Sequence, residues 1–63
     1  MITIETKMEN NLPLMLISNN SRTQFNIAIE IEENGKKERW YHFPVMVKEK
    51  EARKTYEEYS NIF

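Results

Sequence analysis

Few residues in this chain of 63 could carry out chemistry. His42 is the only histidine, and the sequence contains neither cysteine nor aspartate. Nucleophilic catalysis needs a Ser, Cys, Thr or Lys beside a base that a third group orients. We therefore expect no catalytic residue, no cofactor and no metal site, and we interpret His42 as a structural histidine beside an apolar strand position.

The acidic residues and the single glycine do not predict a reaction either. Glu30, Glu32 and Glu33 precede a basic segment that can pair with them across a hairpin, which is typical of a solvated face rather than of two carboxylates in a cleft. Gly35 follows Asn34 in a predicted turn, whereas a phosphate-binding loop needs several glycines at the start of a helix. The sequence thus predicts a protein that is not an enzyme.

The aromatic run 40–43 is the feature most suggestive of function. On a strand, consecutive side chains point to opposite faces, so Trp40 and His42 should lie on one face and Tyr41 and Phe43 on the other. One helix covers only one face of a small sheet, so one of these aromatic pairs should be exposed or packed against a partner. Tryptophan and tyrosine are enriched in interface hot spots, which favours an interface. The alternative is that loops or the N-terminal strands cover the second face. The candidate interaction surface comprises Trp40, Tyr41, His42, Phe43, Tyr56, Tyr59 and Phe63, although an aromatic stripe on a helix is more often core.

Size and charge limit the classes of protein that remain. The chain is long enough for a single domain over residues 1–63, and its 40% hydrophobic content indicates a folded chain. A core this small is marginal without disulfides or a metal, so we expect a homodimer. The net charge of −1 argues against binding of nucleic acid through a basic patch. The sequence shows neither a membrane span nor a signal peptide, and the expected compartment is the cytoplasm.

The sheet is predicted from alternating patterns and turns. Ile2 alternates with polar neighbours, and residues 12–18 form a second apolar run. The strongest signal is a central hairpin, 23–33 and 36–43, joined by the Asn34-Gly35 turn. A two-residue loop places Glu33, Glu32 and Glu30 opposite Lys36, Lys37 and Arg39, and Ile29 and Ile27 opposite Trp40 and His42.

Pro44 is expected to end this hairpin and a helix to follow it. Val45, Ala52, Tyr56, Tyr59 and Phe63 share one helical stripe, and Glu49–Arg53 is a favourable i,i+4 pair. The predicted fold class is α+β: a small antiparallel sheet of three to four strands with one C-terminal helix over about residues 47–60.

The outline from Phe25 to Tyr59, a hairpin with an aromatic second strand followed by a charged helix, is similar in style to the dimeric uracil-DNA glycosylase inhibitor proteins of small Bacillus phages. The likeness rests on common hairpin chemistry, not on a specific motif, and it assigns no functional residue. It implies a short phage or mobile-element protein that inhibits a host enzyme or defence factor by steric occlusion. Two alternatives stay open: an antitoxin-like or small regulatory subunit, and a small-molecule sponge with its site at a dimer interface.

Overall fold

The computed structural model of the protein describes residues 1–59. Four strands form one antiparallel sheet in the order β1-β2-β3-β4, and a helix follows the last strand. The predicted α+β class is confirmed. The elements are β1 (Ile2–Glu9), β2 (Leu12–Ser18), β3 (Phe25–Glu33), β4 (Lys36–Tyr41) and α1 (Glu49–Glu58).

Two-residue turns connect both outer strands to the sheet. Asn34 and Gly35 have φ values of 53° and 79°, and Asn10 and Asn11, between β1 and β2, have values of 51° and 64°. Positive φ at both central residues defines the type I′ turn, whose twist matches that of the paired strands. Asparagine and glycine tolerate this region best, so the sequence itself selects two tight hairpins.

The predicted register of the central hairpin is confirmed. Glu30 pairs with Arg39, Glu32 with Lys37 and Glu33 with Lys36, while Ile29 faces Trp40. The backbone N–H of His42 donates to the carbonyl of Ile27 at 2.8 Å, which continues the same register by one more pair.

Strand β4 ends at Tyr41, two residues earlier than the sequence suggested. A continued ladder would place Pro44 opposite Phe25, where the pair must exchange two backbone hydrogen bonds. Proline lacks the N–H that this exchange requires. The chain therefore loops out over residues 43–46, and Val47 takes the position instead, with hydrogen bonds of 2.7 and 2.8 Å to Phe25.

Helix α1 packs on one face of the sheet. Ala52, Tyr56 and Tyr59 are buried against apolar residues of β2 and β3. Val45, predicted to share their stripe, instead lies in the loop before the helix and is 71% exposed, because α1 begins only at Glu49. Phe63 and the end of the predicted helix at residue 60 lie outside the described residues. The sheet contributes Leu14, Leu16, Phe25 and Ile27 to this core, and Ile4, Ile29, Phe43 and Val47 pack around it.

Side chains of β1 fasten the helix from the edge of the sheet. Arg53 donates from Nε to Glu49 at 2.8 Å, the predicted i,i+4 pair, and its Nη1 lies 3.3 Å from Glu5. Hydrogen bonds to these two carboxylates raise the pKa of Arg53.

Within residues 1–59, no helix has the length and apolar character needed to cross a bilayer.

Candidate protein-binding surface

The face of the sheet opposite α1 carries a second, smaller apolar cluster. Met15, Ile17 and Ala28 are buried there, separately from the helix-side core. They share this face because Met15 pairs with Ala28 and Ala28 pairs with Tyr41. In the described part of the chain, α1 covers only the opposite face of the sheet. Met15, Ile17 and Ala28 are therefore shielded from solvent by the 43–46 loop and by neighbouring side chains of the sheet.

Exposed apolar side chains concentrate around that cluster. Five large apolar side chains are exposed among residues 1–59: Met1 (66%), Met8 (63%), Trp40 (60%), Tyr41 (48%) and Val45 (71%). Strand parity places Met8 on the same face as Met15, and Met1, Tyr41 and Val45 line a cavity beside Ile17. Four of the five thus belong to one surface. We call it the open face, defined by Met1, Met8, Met15, Ile17, Ala28, Tyr41 and Val45.

A shallow cavity of about 180 Å³ lies at one end of the open face. Its wall is the 43–46 loop, which the side chain of Asn26 ties to β3 by bonding the backbone of Phe43. Asn26 is only 5% exposed, so the hydrogen bonds that hold the loop are shielded from solvent. The lining residues are Met1, Ile17, Asn26, Tyr41, Phe43, Pro44, Val45 and Met46.

All four methionines of the chain belong to this region. Met1, Met8 and Met15 lie on the open face, and Met46 lines the cavity. Methionine is unbranched and polarizable, so it adapts its shape to an apolar partner and is common at adaptable binding surfaces. Such a surface can accommodate a partner's side chains without a rigid preformed pocket.

Charged residues border the open face on the side of the Asn34-Gly35 turn. The carboxylate of Glu30 lies 3.6 Å from Arg39 and 3.9 Å from Lys37, all three on this face by register. These ion pairs are solvated, so each contributes little to stability. An apolar centre with a charged rim is the usual composition of an interface between proteins.

The candidate residues of the aromatic run divide between the two faces. Trp40 lies on the helix-facing side, opposite Ile29, but at the outer strand, and its Nε1 donates to Glu38 at 3.4 Å. Tyr41 lies on the open face. Phe43 does not follow Tyr41, because the strand has already ended: it packs partly against the helix-side core and partly lines the cavity.

The candidate residues of the helix are buried in the chain itself. Tyr56 and Tyr59 are 5% and 7% exposed. Burial raises the pKa of both phenols, and the carboxylates of Glu5 and Glu9 raise that of Tyr56 further. Phe63 lies outside the described residues.

The surroundings of His42 are aromatic. Its ring meets the rings of Phe43 and Tyr59 edge-on, with centroids 4.7 and 5.3 Å apart. In residues 1–59 no three His, Cys, Asp or Glu side chains come together in a way that could hold a metal ion. Among residues 1–59, the ring contacts of this histidine are therefore with aromatic side chains.

Sequence reasoning missed the methionines and Val45. Met8 and Met15 lie on strands whose alternation is visible in the sequence, and pairing β1 with β2 across the Asn10-Asn11 turn would have placed both on one face. Met1 and Val45 could not have been found this way. The loop that brings them together depends on which residue after Pro44 pairs with β3 again.

Comparisons with protein-family models, with curated proteins and with solved structures find no match to this chain. The likeness to the uracil-DNA glycosylase inhibitors therefore rests on the residue pattern alone.

Proposed function

We propose that this chain is a non-enzymatic protein that binds a partner protein through the open face and acts by covering the partner's surface. The observation that carries the proposal is the concentration of Met1, Met8, Tyr41 and Val45 around one buried cluster. Large exposed apolar side chains gathered on one face of a small domain indicate an interaction site. The charged border formed by Glu30, Lys37 and Arg39 supplies the polar rim of such a site.

The cavity supports a protein partner better than a small molecule. Its volume of about 180 Å³ is below the roughly 300–1,000 Å³ of typical ligand pockets. A single apolar side chain projecting from a partner suits a depression of this size, and anchoring side chains of this kind dominate many interfaces. The sponge alternative thus has no separate observation in its favour.

The inhibitor role is the most specific part of the proposal. Occlusion requires only binding, which a chain of 63 residues can supply through one of its faces. Short proteins of phages and mobile elements often block a host enzyme or defence factor in this way, and the pattern of this sequence is of that kind. A host cytoplasmic protein is the partner we propose.

The test is affinity capture with matched variants, followed by quantitative mass spectrometry of a lysate from the source or host cells. Val45→Glu and Met8→Glu each place a charge on the open face at an exposed position. Lys50→Gln alters the net charge by the same amount on the exposed side of the helix. All three variants are first checked for native circular dichroism.

We expect one dominant protein to be captured by the parent chain and by Lys50→Gln, and to be lost with both open-face variants. Capture that is equal for all four chains would contradict the assignment of the surface. Copurification of nucleic acid in place of a protein would favour the regulatory or antitoxin-like alternative.

A further inference from the structure

Strand β4 presents an unpaired edge in the described part of the chain. The two-residue turn makes Glu33 and Lys36 a hydrogen-bonded pair, and such pairs recur at every second residue of an antiparallel ladder. The bond from His42 to Ile27 confirms this alternation. The backbone N–H and C=O groups of Lys37, Arg39 and Tyr41 consequently point away from the sheet.

The other edge of the sheet is less suited to pairing. Strand β1 has a register shift between Thr3 and Glu5, and a bulge of this kind twists an edge away from further strands. The ladder between β3 and β4 runs through six consecutive pairs without a shift. Strand β4 is therefore a regular edge, and it carries Trp40 at 60% exposure.

We propose that two copies of this chain pair through β4, antiparallel about a twofold axis at Trp40, to form one continuous eight-stranded sheet. A twofold axis perpendicular to a sheet keeps the faces of both copies together, so each possible register is centred on one residue facing its own copy. The side chains of β4 then decide among a small number of registers.

Four registers place like charges opposite each other. Centring on Lys36, on Lys37 or on Arg39 pairs that residue with itself. Centring on Glu38 pairs it with itself and also places Lys37 opposite Arg39. Like charges directly opposite in a ladder are destabilising.

Two registers avoid this conflict, and the hydrogen bonds separate them. Centring on Tyr41 would extend the ladder through Phe43, whose N–H and C=O already bond the side chain of Asn26. Centring on Trp40 needs only Arg39 and Tyr41, whose outward-pointing backbone groups face each other in two symmetric pairs and can form four hydrogen bonds. The Trp40 register is the one that the structure favours.

The same register gives each exposed aromatic side chain a partner. Trp40 faces its own copy in a non-hydrogen-bonded pair, the closer of the two pair types, with Cα atoms about 4.5 Å apart. On the open face, the guanidinium of Arg39 comes beside the ring of Tyr41 of the second copy, a favourable cation–π arrangement. The two open faces then lie side by side. Formation of the dimer does not depend on the partner protein proposed above.

Single cysteines test the register directly, because the chain contains none of its own. In the Trp40 register, Arg39 and Tyr41 of opposite copies have Cα atoms about 5.5 Å apart, which is within the range of a disulfide. Arg39→Cys and Tyr41→Cys chains are mixed and oxidised, and the products are separated on a non-reducing gel. These variants retain Trp40. Trp40→Cys alone provides the second measurement, with Glu38→Cys and Met8→Cys as controls.

We expect the mixed chains to cross-link to each other in preference to themselves, and Trp40→Cys to cross-link at least tenfold faster than either control. The unsubstituted chain should sediment at twice its mass of 7.6 kDa, with Trp40 emission shifting to shorter wavelength as the dimer forms. A parent chain that stays monomeric at high micromolar concentration would overturn the proposal. Preferential cross-linking through Glu38→Cys would overturn the register.

Discussion

The side-chain amide of Asn26 satisfies both backbone groups of Phe43: its Oδ1 accepts from the N–H at 3.1 Å, and its Nδ2 donates to the carbonyl at 3.0 Å. The pair holds the chain beside β3 just after the point where β4 has ended. It also fixes the 43–46 loop, which forms the wall of the cavity.

Asn26→Ala should therefore lower the free energy of unfolding by about 2 kcal/mol, because Phe43 is left with unpaired backbone groups in a partly buried position. Asn26→Asp should also destabilise the fold at neutral pH, since a carboxylate accepts from the N–H but cannot donate to the carbonyl. Urea denaturation gives both values. As control, Asn20→Ala removes an exposed hydrogen bond to the N-terminus and should change stability by about 0.5 kcal/mol or less.

Gly35 is required for its backbone conformation and not for space. Its φ is 79°, and a Cβ added there would meet nothing within 4 Å. Gly35→Val should cost about 1–2 kcal/mol, since a β-branched residue resists the left-handed region. Lys36→Ala, at the next position, should cost about 0.5 kcal/mol or less. Equal losses in a denaturant titration would show that the turn does not depend on this φ.

The central hairpin was predictable because several local signals agreed. The turn chemistry of Asn34-Gly35, the charge pairs and the facing of Ile29 and Trp40 each require the same register, and a slip of one residue would break all of them. Secondary structure of this kind is encoded within a few neighbouring residues.

The open face was predictable only in part. Since one helix covers only one face of the sheet, the sequence predicts exposed aromatic residues on the other, and Tyr41 is one of them. The course of the chain after Pro44 is a tertiary outcome, since Val47 competes with the intervening residues for the same position beside Phe25. For this reason Val45 lies outside the helical stripe that the sequence predicts, and Phe43 does not simply share the face of Tyr41.

Lys7 connects β1 to the helix in two ways. Its ammonium donates to the carbonyl of Tyr56 at 2.7 Å and lies 4.4 Å from the centre of that ring. Lys7→Met retains most of the stem and loses both interactions, so we expect a loss of about 1 kcal/mol in unfolding free energy. Lys54→Met, on the exposed side of α1, is the matched control and should be nearly neutral. A loss at position 7 no larger than at position 54 would contradict this role.

His42→Ala should lower stability by about 1 kcal/mol or less, the value of one or two edge-on ring contacts at an exposed position. If the purified protein catalyses any reaction, we expect that activity to survive this substitution. A measured turnover that His42→Ala abolishes, in a variant with native circular dichroism, would overturn the non-enzymatic interpretation.

Alkaline pH should destabilise the fold through the two buried phenols. The pKa values of Tyr56 and Tyr59 are raised by burial, so the folded chain holds these protons more tightly than the unfolded chain. Their contribution is fully present below the unfolded pKa of about 10. It is lost as pH rises through the folded values, because the unfolded state then releases more protons than the native state.

Tyr56→Phe isolates one of these contributions from the lysines that titrate in the same range. Phenylalanine has no proton to release, so the stability of this variant should fall less steeply with pH than that of the parent chain. Urea denaturation at a series of pH values from about 8 to about 11 measures both slopes. The phenolate absorbance of the folded parent chain should rise late in the same series. Parallel slopes for the two chains would show that Tyr56 ionises without cost to the fold, and that its contact with the sheet is looser than its burial indicates.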